Sequence, residues 1–368
     1  MSLSRLSIQN VRNIESSSLE LGPAVNVVCG DNGSGKTSIL ESIYFLGSTR
    51  SFRSASVEPL INRDADCCLV RGELAGGASL AVERSRSGKR QLRLSGEAVK
   101  RTSELARALP VLALGPESVN LLLDGPEQRR KFLNWGVFHV EHSQSFQGLW
   151  ESGLRSLRQR NHLLRRRRDQ RHGISPVKNQ ESEQELQSWT QSLVTASEAI
   201  HSRRERYFTE LRQVFLENCR ELTEIQEVTL DYEKGWQGGL VETLDADFVQ
   251  DIKRGYTHKG FQRADVKIRI KGDDVAKVCS RGELKVLSWA LIISQGDLLE
   301  HEVIYLVDDL MSELDDIHRR RICNHLEDRQ RQVVVTGIDS DPLVSFWQSE
   351  PRLFHVKHGV IKELKPNE

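Results

Sequence analysis

The apolar segment Val25-Asn26-Val27-Val28-Cys29 runs directly into Gly30-Asp31-Asn32-Gly33-Ser34-Gly35-Lys36-Thr37, and a helical pattern follows. Few sequence features restrict a fold as tightly. A loop of the form G-x-x-x-x-G-K-[ST] turns consecutive backbone N–H groups toward phosphate oxygens, and it works between a strand and the N-terminus of a helix. The pattern predicts an α/β layer in which Gly30 to Thr37 hold nucleotide phosphates. Lys36 would reach the β and γ phosphates, and the Thr37 hydroxyl would bind Mg²⁺.

Such a loop also needs a carboxylate on a neighbouring strand. The run Val303-Ile304-Tyr305-Leu306-Val307 ends in Asp308-Asp309, making Asp308 the candidate metal ligand and Asp309 the candidate to orient an attacking water. The same two acids could instead cap the next helix. The glycine loop and the acidic strand stand at opposite ends of the chain. Long charged helical stretches fill the interval, with one seam at Trp150, Leu154, Leu157, Asn161 and Leu164. A break at Gly173 and Pro176 precedes a second seam at Leu186, Trp189, Leu193, Ala196, Ile200, Tyr207 and Leu211. Steps of three and four predict an antiparallel helical hairpin.

The expected organisation is a nucleotide-binding head in two parts, residues 1–125 and 251–368, separated by a helical arm over residues 126–250. Strands are expected before the P-loop and over Cys67–Val99, with hairpin turns at Gly76-Gly77 and Ser87-Gly88. From Gly255 onward "DVKIRI", "VIYLVDD" and "QVVVTGI" are expected to alternate with helices in one α/β sheet.

Between the arm and the acidic strand lies "CSRGELKVLSWALIIS". Alone, Ser280-Arg281-Gly282-Glu283 is an ordinary capping box. In order after a P-loop and before "VIYLVDDLMSELDD" it resembles the signature of ABC-type ATPases, which implies an ABC-type head with a mixed sheet, split by an inserted helical arm. More specifically the chain resembles the RecF family of bacterial recombination mediators, relatives of the SMC-type ATPases. The likeness rests on "LSRLSIQNVRNIESSSLEL", the P-loop with "LESIYFLGSTRSFR", "PESVNLLLDGPEQRRKFLNW", "GYTHKGFQRADVKI" and "DDLMSELD". Two positions depart from the family pattern, Asn134 in place of aspartate and Phe261 in place of proline.

The resemblance implies an ATP-dependent homodimer that closes on single-stranded, gapped or duplex DNA and acts with RecR and RecO to place RecA. It implies a further phosphate contact from Ser38, Arg12 and Asn13 near the adenine, and Mg²⁺ held by Asp308 through water. Ser280, Gly282 and Asp315 would act across the dimer. Transporter-type ATPases carry glutamate where this chain has Asp309; a carboxylate set back by one methylene favours slow hydrolysis. The histidine that contacts the γ-phosphate elsewhere in the superfamily is not evident, and Thr336 is the nearest stand-in.

Lysine plus arginine and aspartate plus glutamate both number 52, so attraction to a polyanion must come from local clustering. "LRSLRQRNHLLRRRRDQR" gathers Arg155, Arg158, Arg160, Arg165, Arg166, Arg167, Arg168 and Arg171 on one expected helix. Such a cluster binds phosphates without reading bases, or serves as a solvated helix face. Arg50, Arg53, Arg129, Arg130 and Lys131 are secondary candidates, with a structural ion pair as the other reading of Arg129 and Arg130. The six cysteines show no metal-ligand spacing, and no segment has the length and apolarity of a membrane span, so a cytoplasmic protein with reduced thiols is expected. Two other functions fit parts of the pattern. A transporter ATPase subunit would share the motifs without needing the basic hairpin, and a non-catalytic ATP-switched scaffold would share everything except turnover.

Overall fold

The computed structural model describes residues 2–140, 144–171, 181–299 and 303–364. The chain forms two compact units. One comprises Met1–Val119, Asn218–Ile225 and Cys279–Glu368, and the other Asn120–Glu217 and Gln226–Val278.

The first unit is built on two sheets. In the first, the spatial order is Val360–Leu364, Arg352–Lys357, Val25–Cys29, Gln332–Gly337, Ile304–Val307, Val111–Leu114. All pairs are parallel except the edge hairpin of Arg352–Lys357 with Val360–Leu364. Val25–Cys29, Ile304–Val307 and Gln332–Gly337 are buried at every residue. Continuous burial explains why they read as apolar runs rather than alternating ones. The second sheet is an antiparallel meander ordered Ile14–Glu20, Leu3–Val11, Cys67–Leu74, Ser79–Ser85, Arg90–Leu94, Glu97–Ala98. Its strands alternate, and Leu6, Ile8, Val70 and Val82 share a core with Ile39, Leu40, Ile43 and Leu46 of the helix Lys36–Ser48. Burying these side chains stabilises by about 1.5–3 kcal/mol each, which anchors the P-loop helix between sheets. Gly77 and Gly88 turn two hairpins at φ +85 and +87°; Ser95-Gly96 turns a third, which the sequence reading did not anticipate.

The second unit contains the helices Pro126–Val140 and Gln144–Arg171 and most of Glu181–Leu222. The expected break at Gly173 and Pro176 lies outside the described residues. The second predicted seam is buried from Leu186 to Leu211 apart from half-buried Trp189. The first is rotated: Gly153, Ser156, Arg160, Leu163 and Leu164 are buried, while Trp150, Leu154, Leu157 and Asn161 are half-buried. The cause is Arg160, whose guanidinium donates to Asp251 Oδ2 (2.9 Å) and Thr257 Oγ1 (2.5 Å) and so draws a charged position inward.

"DVKIRI" does not join the parallel sheet. Asp265–Ile270 pairs antiparallel with Val228–Glu233 and with Asp273–Asp274 in a separate three-stranded sheet of the second unit. Its half-buried Lys267, Arg269 and Ile270 mark a strand with a solvated face. Residues 251–278, grouped with the head in the sequence reading, pack with this second unit.

Candidate functional site

Parallel register brings the two ends of the chain together. Cys29 lies opposite Gly337, Val28 opposite Thr336, and Val335 opposite Val307, so the P-loop, Thr336 and Asp308 all leave the sheet at the carboxyl ends of adjacent strands. That edge is where open α/β sheets bind ligands. Gly30 and Gly35 sit at φ +146 and +122°, a region L side chains rarely adopt. A Cβ at Gly30 would also collide with the Val356 carbonyl.

Lys36 is 9% exposed, and its ammonium donates to the carbonyls of Gly30 (2.6 Å) and Asp31 (3.0 Å), across the mouth of the loop. Asn13 braces the loop from outside. Its amide donates to Ser34 O (2.9 Å) and Gly33 O (3.3 Å), and its Oδ1 accepts from Ser38 Oγ (3.1 Å). Arg12 is tied down separately: Nε and Nη2 donate to the two oxygens of Glu41 at 2.8 and 2.9 Å. Glu41 is fully buried in the P-loop helix and also accepts from Ser51 Oγ. Sequence reading missed Glu41, although it is the sole acid within the helix Lys36–Ser48. A carboxylate buried in a largely apolar helix requires a partner.

Opposite the loop, the Thr37 hydroxyl donates to Asp308 Oδ1 at 2.9 Å, and Thr336 Oγ1 donates to the same oxygen at 2.9 Å. Thr336 in turn accepts the backbone N–H of Asp309 (2.9 Å). Burial raises the Asp308 pKa above the ordinary carboxylate value, against the hydrogen bonds from Thr336 and Thr37 and the field of Arg53. A buried carboxylate of this kind gains from a cation beside it. Asp309 has φ 54° and ψ 52° and makes no side-chain capping bond to the helix it precedes, so the capping alternative does not describe it. A non-glycine residue held in this region stores strain of the kind concentrated at functional sites.

Ser280 is the N-cap of the helix Arg281–Asp297. Its Oγ accepts from Glu283 N (3.3 Å), and Glu283 Oε2 accepts from Ser280 N (2.7 Å), completing a capping box. No atom stands within 4 Å of where a Gly282 Cβ would lie. Asp315 caps the helix Asp316–Asp328 and accepts from His318 N (2.9 Å), with His318 Nδ1 at 2.7 Å. Among the described residues, neither Ser280 nor Asp315 is hydrogen-bonded to the P-loop or Asp308. Both caps are made within their own helices.

In the second unit, Arg155, Arg158, Arg165 and Arg166 are exposed. Arg167 lies 3.6 Å from Glu183, and Arg168 3.2 Å from Asp169. Arg160 is removed from the basic cluster by its buried pair with Asp251, and the Arg171 side chain lies outside the described residues. Arg129 forms an ion pair with Asp265 (2.8 Å) and Arg130 donates to Ala264 O (3.0 Å), so these two support the fold. Lys131 pairs with Glu127 at 2.9 Å; Arg50 and Arg53 are exposed. The two departures meet at one side chain: Arg204 donates to Asn134 Oδ1 (2.8 and 3.0 Å) and to Phe261 O (2.8 Å).

The donor set fits a nucleotide with Mg²⁺. A hydroxyl and a carboxylate 2.9 Å apart are the hard oxygen ligands this ion takes. The buried Ser34 Oγ in the loop has no hydrogen-bond partner among the described residues, as a group meant for a phosphate would lack one.

The model for the RecF/RecN/SMC N-terminal domain matches residues 2–362. The DNA replication and repair protein RecF of Pseudomonas aeruginosa (strain LESB58) is 39% identical over 375 residues, covering 99% of this chain and 98% of that protein. The chain belongs to the RecF family. The Azotobacter vinelandii RecF is 40% identical over 379 residues, covering all of both chains. Among solved structures, the recombination mediator RecF with ATP aligns with a TM-score of 0.83 at 24% identity, covering 99% of this chain and 97% of that one. The Smc head of Pyrococcus furiosus bound to the ScpA C-terminal domain aligns at 0.58 and 15%, covering 98% and 95%. The fold is that of RecF and SMC ATPase heads, and no helix among the described residues is long and apolar enough to cross a membrane.

Proposed function

We propose that this protein is an ATP-switched, DNA-binding clamp of recombinational repair, slow in hydrolysis and dimeric when nucleotide is bound. The observation that carries the reading is the Thr37–Asp308–Thr336–Asp309 chain of hydrogen bonds, in which the Asp308 carboxylate, two hydroxyls and the Asp309 backbone N–H from three separated segments converge at the P-loop. The loop N–H groups, Lys36 and Ser34 bind and orient the phosphates of ATP, with Ser38 beside them. Thr37 and Asp308 hold Mg²⁺, which when bound screens the phosphate charge. Asp309 orients water. Its short side chain favours a timer over rapid turnover. Thr336 holds the Asp308 carboxylate and the Asp309 backbone, Asn13 braces the loop, and Arg12, anchored on Glu41, lies with Asn13 near the adenine.

Ser280 and Gly282 head a helix whose N-terminus suits an anion, and they serve the γ-phosphate in a second copy of the chain, with Asp315 beside them. The exposed arginines of the helix Gln144–Arg171 grip DNA through its phosphates. RecR and RecO enter as the expected partners, supported by the RecF name of the relatives and by the RecFOR pathway of the solved RecF–ATP complex, with RecA as the protein they would place.

The test is the mass of the purified protein by light scattering, with and without ATP and Mg²⁺, each with and without gapped duplex. The expected result is a dimer only with nucleotide, holding DNA. A monomer under every condition removes the composite site and leaves the scaffold reading.

A further inference from the structure

The antiparallel sheet of the first unit breaks a rule of strand pairing. Arg84, on the interior strand Ser79–Ser85, lies directly opposite Arg90 on Arg90–Leu94. Like charges facing across a strand pair are destabilising. No carboxylate among the described residues pairs with either one. Lys89 stands at the adjoining turn, and Arg90 Nη1 reaches Thr102 Oγ1 (3.4 Å), beside Lys100 and Arg101. Glu104 accepts from the backbone N–H of Arg101 (3.2 Å), and Arg86 is spent on the carbonyls of Ala65 and Asn62. Lys89, Arg90, Lys100 and Arg101 are exposed and Arg84 is half-buried.

We infer that this row is a second contact surface for the DNA phosphate backbone, separate from the arginines of the helix Gln144–Arg171. The inference rests on the DNA-binding reading above. Protection of a sheet edge explains charges on an edge strand, but Arg84 is on an interior strand, where the repulsion is a cost without a local gain. A rule broken this way marks a functional position. Neighbouring strands lie about 4.8 Å apart, so side chains from successive strands present cations at a pitch comparable to the phosphates of one DNA strand, whose axial rise is about 3.4 Å. Backbone geometry of this kind recognises duplex form, not sequence.

The test is fluorescence anisotropy of labelled duplex and gapped DNA with the full chain, ATP and Mg²⁺, titrated between 50 and 200 mM salt. Wild type is compared with Arg84→Gln/Arg90→Gln and with Arg158→Gln/Arg165→Gln/Arg166→Gln. Removing two contacts should lower the slope of log affinity against log salt by about two, so the Arg84/Arg90 variant loses about tenfold less affinity than wild type across that range. ATP binding should be unchanged and the melting temperature equal or higher, which separates this from misfolding. An unaltered slope in that variant, with the arm variant defective, overturns the second surface and leaves the clamp reading standing. Failure of wild type to bind DNA overturns the clamp reading itself. Stronger competition by polyglutamate than by DNA of equal charge would assign the row to an acidic protein segment and likewise overturn the inference.

Discussion

Asp308 concentrates the conflict between stability and function in one side chain. Its pKa is raised by burial, so at neutral pH the ionised form that the proposed Mg²⁺ ligation requires is held at a cost. For an acid with a raised folded pKa, the folded state binds the extra proton, and the cost appears as pH rises above the ordinary value of 3.8. Asp308→Asn is therefore expected to raise the melting temperature of the nucleotide-free protein at pH 7.5 and to abolish the further rise given by ATP with Mg²⁺. Thermal unfolding with ATP, with and without Mg²⁺, checks both halves; a lower melting temperature without nucleotide contradicts the argument. Gly30 is a second test at this scale. Gly30→Ala forces a side chain into φ +146° against the Val356 carbonyl, and about 3 kcal/mol of destabilisation is expected by urea unfolding, with ATP binding lost. The glycines, Lys36, Thr37 and Asp308 were legible as residues because their chemistry is tied to spacing or to the end of an apolar run. Thr336 was legible only as a stand-in for histidine, and its link between Asp308 and the Asp309 backbone depends on register between strands, which sequence does not print.

Among elements, the helix Arg281–Asp297 and the buried arginines are the informative cases. Ser280→Arg removes an N-cap, costing about 1 kcal/mol, and places a bulky cation where the proposed second copy must approach. Unchanged ATP affinity of the monomer with loss of nucleotide-driven dimerisation is expected from calorimetry and light scattering together. A collapse of monomer ATP affinity would remove Ser280 from the trans role. Arg204 is fully buried, and desolvation lowers its pKa, with Tyr232 acting in the opposite direction. Its hydrogen bonds go to a neutral amide and a carbonyl. Asn134→Asp supplies a carboxylate at the same point and should stabilise by about 1–2 kcal/mol, read from urea midpoints at pH 7. Helical periodicity identified the long helices but misplaced the first seam, because periodicity counts apolar residues and cannot foresee Arg160 drawn inward by Asp251.

For the whole molecule, pH acts through a junction of three segments. Burial alone would raise the Asp297 pKa, but hydrogen bonds from His325 (2.9 Å) and Asn218 (2.8 Å) outweigh it and the value is lowered. The stability this contributes is present above 3.8 and lost as pH falls through the lower folded value. Asn218→Ala should therefore lower the melting temperature at pH 7, with the difference from wild type shrinking below pH 4. A difference independent of pH across that window would assign the loss to packing alone.

The order of elements was readable along the chain: a glycine loop after a buried strand, a capped helix before an acidic strand, and long helices between them. Each of these follows from local spacing, which backbone geometry converts directly into strand, loop or helix. Which segments meet was settled by strand pairing. Parallel pairing of Val25–Cys29, Gln332–Gly337 and Ile304–Val307 set Thr37 beside Asp308, antiparallel pairing claimed "DVKIRI" for the second unit, and cross-strand register set Arg84 against Arg90. Register is fixed by which faces must be buried, a property of the folded assembly of segments that no single segment carries.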